Sequence, residues 1–301
     1  MSTATEMQIT PPPAGQIGAT ITGIDTNELP TDAPELQPIR DAIYQHRLVV
    51  IRNQNFNEQQ YVDFARKLGR PQVYFQSNYH HPQHPEIFVS SNIPEGDQKI
   101  GVARTGHYWH TDCSFESHPL SWTSIYPQVF PKDSRGTLYI DMAKVYANLP
   151  EHLRSYVDGV TAIHAGQLRY KVQASDIDRS LEELLNRINE EVPPVRHPAV
   201  IEHPVTGEKA LYLNRGFTVA LEGLTHEENK RRLAELFEFI ERPEHIHQHA
   251  WSEGDLIIWD NRLLIHMSTA VAPGQHSKSY RIGIYDDLPF YAGIAAEEGQ
   301  S

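Results

Sequence analysis

A histidine and an aspartate stand two residues apart in Tyr108-Trp109-His110-Thr111-Asp112, and a further histidine, His266, lies far downstream. On an extended segment side chains alternate, so His110 and Asp112 point to one face and can share a metal. With His266 they supply two imidazoles and a carboxylate, the facial triad of non-haem Fe(II) oxygenases, which leaves positions open for a cosubstrate and dioxygen. A chain that uses this set must bring its middle and its C-terminal part to one point. The tripeptide alone is a weak signal, because the chain has 17 histidines and the same residues also read as a loop histidine beside a turn-capping aspartate.

Charge narrows the classes of partner. The 39 acidic residues exceed the 26 basic ones, for a formal net charge of -13. An acidic chain with no Lys/Arg stripe is poorly suited to nucleic acid or an anionic membrane. No apolar run approaches transmembrane length and the first fifteen residues lack an apolar signal core, so a cytoplasmic protein is expected. Cys113 is the single cysteine, which excludes an internal disulfide; beside Asp112 it reads as a small core filler.

The periodic pattern is that of one domain. Residues 1–14, ending in three prolines, read as a disordered lead-in, and residues 15–301 as one unit with no repeat or linker. Strands are expected over residues 17–25, 48–51, 86–91, 122–129, 137–140, 245–251, 256–259 and 280–285. Helices are expected over residues 35–46, from Asn57 to Gly69, over residues 175–191, and from the Thr225 capping box to about Ile240. Residues 93–104, rich in Gly and Pro and bordering the metal motif, are a candidate mobile cover. His245, His247 and His249 share a strand face, but no acidic or Cys partner is spaced to close a second metal site. Trp259 reads as core. The expected fold is mainly β with flanking helices, a double-stranded β-helix or jelly roll of the cupin-like kind.

The company of the triad is more specific than the triad itself. Residues 105–115, Gly136-Thr137, the run Trp259-Asp260-Asn261-Arg262 leading to His266, and Arg281 resemble the TauD/TfdA family of Fe(II)- and 2-oxoglutarate-dependent dioxygenases, from about residue 18 to about residue 289. The resemblance implies the same fold in its TauD form, iron on His110, Asp112 and His266, and 2-oxoglutarate with its distal carboxylate on Arg281 and Thr137. A guanidinium suits that role because it can hold a carboxylate through two parallel hydrogen bonds. The partners are then a small-molecule substrate, 2-oxoglutarate and O2; a homo-oligomer is compatible with this reading.

Within the family, Tyr74, Tyr79-His80-His81, residues 84–91, Arg135-Gly136-Thr137 and the Lys171 segment resemble the actinobacterial isonitrile-forming oxidase/decarboxylase subgroup. That likeness implies conversion of an N-carboxymethyl β-amino acid, such as (R)-3-[(carboxymethyl)amino]butanoic acid, to the β-isocyano acid in isonitrile lipopeptide biosynthesis. Tyr74, Tyr79, Arg135, Lys171 and Phe75 become the expected substrate contacts. Two positions depart from the subgroup: Phe75 replaces a second tyrosine beside Tyr74, and Ala270 replaces a histidine four residues after His266. The alternatives are a TauD-like hydroxylase or C–N cleaving dioxygenase for another small anion, and a binding protein that kept the fold and lost catalysis.

Overall fold

Leu48–Ile51 is the strand around which the larger sheet assembles, and every one of its residues is buried. A short run of β-branched and Leu side chains with no polar alternation fits a strand covered on both faces. It pairs in parallel with Ala19–Thr22 and antiparallel with Leu256–Asp260. The computed structural model describes residues 6–94, 100–131 and 135–294. The sheet has eight strands, in the order Gln8–Thr10, Ala19–Thr22, Leu48–Ile51, Leu256–Asp260, Trp122–Val129, Lys278–Tyr285 and Arg70–Pro71, with Phe88–Ser91 also paired to Lys278–Tyr285. Three strands, Ile246–Ala250, Gly136–Asp141 and Leu264–Ser268, form a second sheet; Thr218–Leu221, Thr161–His164 and Val195–Pro198 form a third.

The helices lie where cap and face signals put them. Leu36–His46 carries Pro38 in its first turn, where a missing N–H costs nothing. Glu58–Leu68 is closed at its start by a reciprocal Asn57/Gln60 capping box, and Tyr61, Phe64, Ala65 and Leu68 face the larger sheet's core. His226–Ile240 starts on the Thr225/Glu228 box.

Three expectations are corrected. The lead-in is not wholly irregular, because Gln8–Thr10 pairs antiparallel with Ala19–Thr22 and so gains a ladder that its local sequence does not advertise. The helix expected over residues 175–191 divides: a 3₁₀ turn at Ala174–Asp176 precedes Leu181–Glu191, which begins on a Ser180/Glu183 capping box. The divide is enforced by Asp176, which is buried and ion-paired to Arg187 at 2.6 Å instead of lying on an exposed helix face. Asp112 is not on a strand: His110 makes an isolated bridge to His266, and the chain then turns through Cys113 at φ 55°. Of the candidate cover, residues 95–99 lie outside the described residues, while Val102 is hydrogen-bonded to Val89 and Ser91 of strand Phe88–Ser91.

The two ends of the chain are tied by buried charge. Arg262, nearly inaccessible, donates to both carboxylate oxygens of Asp286 at 2.9 Å, and Asp286 also accepts from Tyr44 and Ser121. Burial works against the Asp286 carboxylate, but Arg262 outweighs it and holds the group below the usual carboxylate range. Removing one partner strands the other charge in the interior, so Asp286→Ala is expected to cost about 3–5 kcal/mol, read as a lower urea midpoint at unchanged slope.

Candidate active site

His266 lies on strand Leu264–Ser268, and the bridge to His110 is closed by two backbone hydrogen bonds of 3.0 and 2.8 Å. That pairing brings the imidazole centroids to 4.2 Å. His110 Nε2 is 3.6 Å from Asp112 Oδ1, and His266 Nε2 is 3.8 Å from Asp112 Oδ2. One ligand atom from each of the three residues lies within 4.8 Å of the others, and all three side chains are buried. Among the described residues no other group of three His, Cys, Asp or Glu converges in this way.

The protonation states suit a metal. Burial lowers both histidines, that of His266 further because His110 stands beside it, so each imidazole is neutral with a lone pair to give. Burial would raise Asp112, but Arg281, His266, His110 and the Thr123 hydroxyl prevail and hold it at about 2. Neutral imidazoles and an ionised carboxylate are the forms that bind a divalent cation. His110 Nδ1 is fixed 2.8 Å from the Tyr108 carbonyl, which aims Nε2 at the cluster.

A relay the sequence did not announce orients the carboxylate. Trp259 Nε1 donates to Asn261 Oδ1 at 3.1 Å, Asn261 Nδ2 donates to Thr123 Oγ1 at 2.9 Å, and Thr123 Oγ1 donates to Asp112 Oδ2 at 2.7 Å. Trp259 is core as expected, with its ring 4.6 Å from that of His266. Gly216 is required for close approach: a Cβ there would stand 2.7 Å from the Tyr108 ring and 2.9 Å from His110 Cβ.

A cavity of about 270 Å³ opens beside the three residues. Tyr74, Tyr79, Arg135, Thr137, Lys171 and Arg281 all line it, so six of the seven expected ligand contacts meet there. Phe75 is the exception. Its ring touches that of Tyr74 at 4.6 Å and stands 6.0 Å from Phe115, but the side chain is exposed to solvent and does not line the cavity.

The cations occupy different walls. Arg281 Nη1 donates to Asp112 Oδ1 at 2.6 Å, its guanidinium lies 4.2 Å over Phe88, and its Nε is buried with no hydrogen-bond partner. Arg135 lies 4.6 Å over the Trp251 ring and reaches the Ser277 hydroxyl at 3.3 Å and the Thr269 carbonyl; Trp251 Nε1 in turn donates to Thr137 Oγ1 at 3.1 Å. Burial brings Arg135 down to about 10, which leaves it charged at neutral pH. Lys171 is positioned through its backbone, whose carbonyl accepts from the buried Gln76 side chain at 2.9 Å. With Arg104 and Arg169, the lining holds five cationic side chains against one carboxylate, in a chain whose net charge is -13.

The donor set, the buried site and the sheet architecture together define a mononuclear non-haem oxygenase. Residues 8–282 match the model of the "Taurine catabolism dioxygenase TauD, TfdA family", and the chain belongs to that family, whose members are Fe(II)- and 2-oxoglutarate-dependent dioxygenases. It is 30% identical over 258 residues to an α-ketoglutarate-dependent sulfate ester dioxygenase of Pseudomonas putida, covering 85% of this chain and 82% of the relative. A pentalenolactone F synthase of Streptomyces arenae is 27% identical over 301 residues, covering 96% and 100%. A crystal structure of a taurine dioxygenase from Burkholderia xenovorans superposes with a TM-score of 0.75 at 27% identity, covering 96% of this chain and 92% of that one. The protein is therefore an oxidoreductase that takes a small-molecule substrate, 2-oxoglutarate and O2. Among the described residues no helix is long and apolar enough to cross a membrane.

A further buried carboxyl lies within electrostatic reach of Arg281. Glu116 accepts from Gln72 Nε2 at 3.0 and 3.1 Å and from the Tyr285 hydroxyl at 3.2 Å, yet burial pushes it up to about 7. A carboxyl raised in the fold binds more protons folded than unfolded between about pH 4.5 and 7, so its contribution to stability falls across that window as pH rises. Buried His164, lowered to about 3, has the opposite sign between about pH 3 and 6.5. Glu116→Gln isolates the first effect: in urea titrations from pH 4 to 8 the variant should match the wild type at the acid end and exceed it by roughly 2–3 kcal/mol at pH 8.

Proposed function

We propose that the protein is an oxidase/decarboxylase that converts an N-carboxymethyl β-amino acid to the β-isocyano acid, with His110, Asp112 and His266 holding the iron. The eight-stranded sheet and the sheet of Ile246–Ala250, Gly136–Asp141 and Leu264–Ser268 are then the two faces of a double-stranded β-helix. The observation that carries the reading is the cationic lining of the cavity beside the triad, five cationic side chains against one carboxylate. A substrate with two carboxylates, used beside a dicarboxylate cosubstrate, brings more negative charge than one arginine can neutralise.

The contacts divide the anions between the cations. The sequence resemblance pairs Arg281 with Thr137 on the distal carboxylate of 2-oxoglutarate. The guanidinium linked to Thr137 is that of Arg135, which stacks on the Trp251 ring whose Nε1 donates to Thr137, and the Thr137 hydroxyl proton is not used in that bond. Arg135 and Thr137 therefore take the distal carboxylate. Arg281 uses its unpartnered Nε for a substrate carboxylate inside the aromatic wall of Tyr74, Tyr79 and Phe88, and Lys171 holds the other carboxylate.

Bound iron with 2-oxoglutarate supplies a two-electron oxidation powered by dioxygen. The conversion of R–NH–CH2–COOH to R–NC and CO2 removes four hydrogens, so two turnovers are needed. The sum is two O2 and two 2-oxoglutarate giving two succinates, three CO2, two waters and the isonitrile. The chain's own task is to fix both substrate carboxylates so that the methylene between nitrogen and carboxyl faces the metal, and to exclude water with Tyr74, Phe115 and Phe217.

A second reading is favoured by the relatives, which include a sulfate ester dioxygenase and a 2,4-dichlorophenoxyacetate dioxygenase. A single hydroxylation beside a sulfate or carboxylate would use the same cations. Succinate and product counted in one reaction separate the two: the amino acid should give two succinates per isonitrile, whereas one succinate with a hydroxylated or dealkylated product would overturn the first reading.

Four variants test the assignments. Arg135→Lys should raise KM for 2-oxoglutarate at least tenfold with little change for substrate, and Arg281→Lys the reverse. Thr123→Val, which deprives Asp112 Oδ2 of its donor, should weaken Mn(II) affinity about 10–100-fold in calorimetry, while Thr123→Ser should keep it.

A further inference from the structure

Leu168 lines the cavity and is 70% exposed, which is unusual for a large apolar side chain at the mouth of a site crowded with charge. Its position is built. It is the central residue of the 3₁₀ turn Gln167–Arg169, and both neighbours are tied down. The Gln167 amide donates to Asn189 on helix Leu181–Glu191; Arg169 Nε donates to the Gly216 carbonyl at 3.2 Å, with its guanidinium 3.9 Å over the Tyr108 ring. With both flanks anchored by polar bonds, Leu168 is presented at the opening.

The same cavity has an apolar pair beside the triad. Phe115 and Phe217 line the cavity with centroids 4.7 Å apart, and Phe217 stands 6.1 Å from the His110 imidazole. Outward, Val172 is 66% exposed on the same segment. Of the cations assigned to carboxylates, Arg281 and Arg135 belong to other segments, while Lys171 stands three residues along from Leu168. The cavity, about 270 Å³, falls just under the roughly 300–1,000 Å³ of small-molecule sites and has to admit the cosubstrate as well. A substrate tail of more than a few carbons has no room inside.

We infer that Phe217, Phe115 and Leu168 form a trough for the alkyl chain of the substrate, which lies head inward on the cations and tail outward across Leu168, so that medium-length chains are preferred over the four-carbon acid. The inference rests on the head-group orientation proposed above. Apolar contact along the trough removes methylenes from water without asking for any new polar partner.

The test is calorimetric titration of the full chain, loaded with Mn(II) and 2-oxoglutarate under nitrogen. The ligands are N-carboxymethyl 3-amino acids from butanoic to decanoic and, in parallel, straight-chain alkyl sulfates from butyl to octyl. Each added methylene should tighten binding by about two- to fourfold, the upper figure corresponding to ~0.8 kcal/mol per fully buried methylene, until the chain passes Leu168. Leu168→Asp should abolish the dependence on length, whereas Leu181→Asp, equally exposed on the neighbouring helix but not lining the cavity, should keep it. Affinity independent of length in both series, or a wild-type slope in Leu168→Asp, would overturn the trough. If the butanoic acid gives an isonitrile and two succinates while affinity is flat, the trough fails and the proposed reaction stands. If only the sulfates bind, with the slope, the trough stands and the isonitrile reading falls.

Discussion

Thr123 Oγ1, buried between Asp112 and Asn261, is the atom on which the geometry of the site depends. It receives one hydrogen bond from Asn261 and gives one to Asp112, so the direction of its single proton is fixed. That proton selects which carboxylate oxygen of Asp112 is engaged and which rotamer the side chain keeps. Thr123 belongs to strand Trp122–Val129, and its register opposite Trp259 on Leu256–Asp260 places the next donor, Asn261, within reach. A slip of one residue would turn Thr123 to the other face and break the relay. The backbone bridge between His110 and His266 and the side-chain relay from Trp259 thus fix the three donors from independent directions.

The polar run after Trp259 serves structure on one side and chemistry on the other. Asp260 Oδ2 is 3.0 Å from His203 Nε2 and Arg262 is bound to Asp286, both in the interior, so these residues brace strand and C-terminal segment without touching the cavity. Asn261 between them turns toward Thr123. A buried charge network of this kind contributes little net stability against an apolar core of equal volume. What it contributes here is a rigid frame immediately before strand Leu264–Ser268, on which His266 must present one nitrogen within 4 Å of a carboxylate.

Legibility in the sequence followed the strength of the local signal. Capping boxes at Asn57 and Thr225, the proline in the first turn of Leu36–His46 and the unbroken apolar run Leu48–Ile51 are complete within a few residues, and each stands where it was read. Strands Thr161–His164, Val195–Pro198 and Thr218–Leu221 were not read, because three or four residues show too little of a period and their pairing is with one another across long separations. Gln8–Thr10 has the same character, an edge strand defined by its partner. In the site, residue identity and spacing sufficed for the three donors and for most of the cavity wall. They did not distinguish the walls: Arg135 and Arg281 are both arginines, and only the Trp251 stack and the Asp112 bond tell them apart. Thr123 and Glu116 carried no sequence signal, since a threonine in a strand and a glutamate after a turn are ordinary.

The charge of Glu116 bears on how much of Arg281 is available to a ligand. With its value raised to about 7, Glu116 is about half protonated at neutral pH, so Arg281 feels one full negative neighbour, Asp112, and a second only in part. With a divalent metal bound, Asp112 would share its charge with it, and the guanidinium would carry charge that the protein does not itself neutralise, in a cavity whose aromatic walls give little screening. An ionised Glu116 would cancel that field from behind and would weaken the hold on any anion placed in front. Gln72 and Tyr285 each donate a hydrogen bond to Glu116, which favours its ionised form, but burial prevails and raises it. The surplus of positive charge in the cavity of an acidic protein therefore has two sources: five cationic side chains lining it with a single carboxylate, and a further buried carboxyl whose ionisation burial holds back.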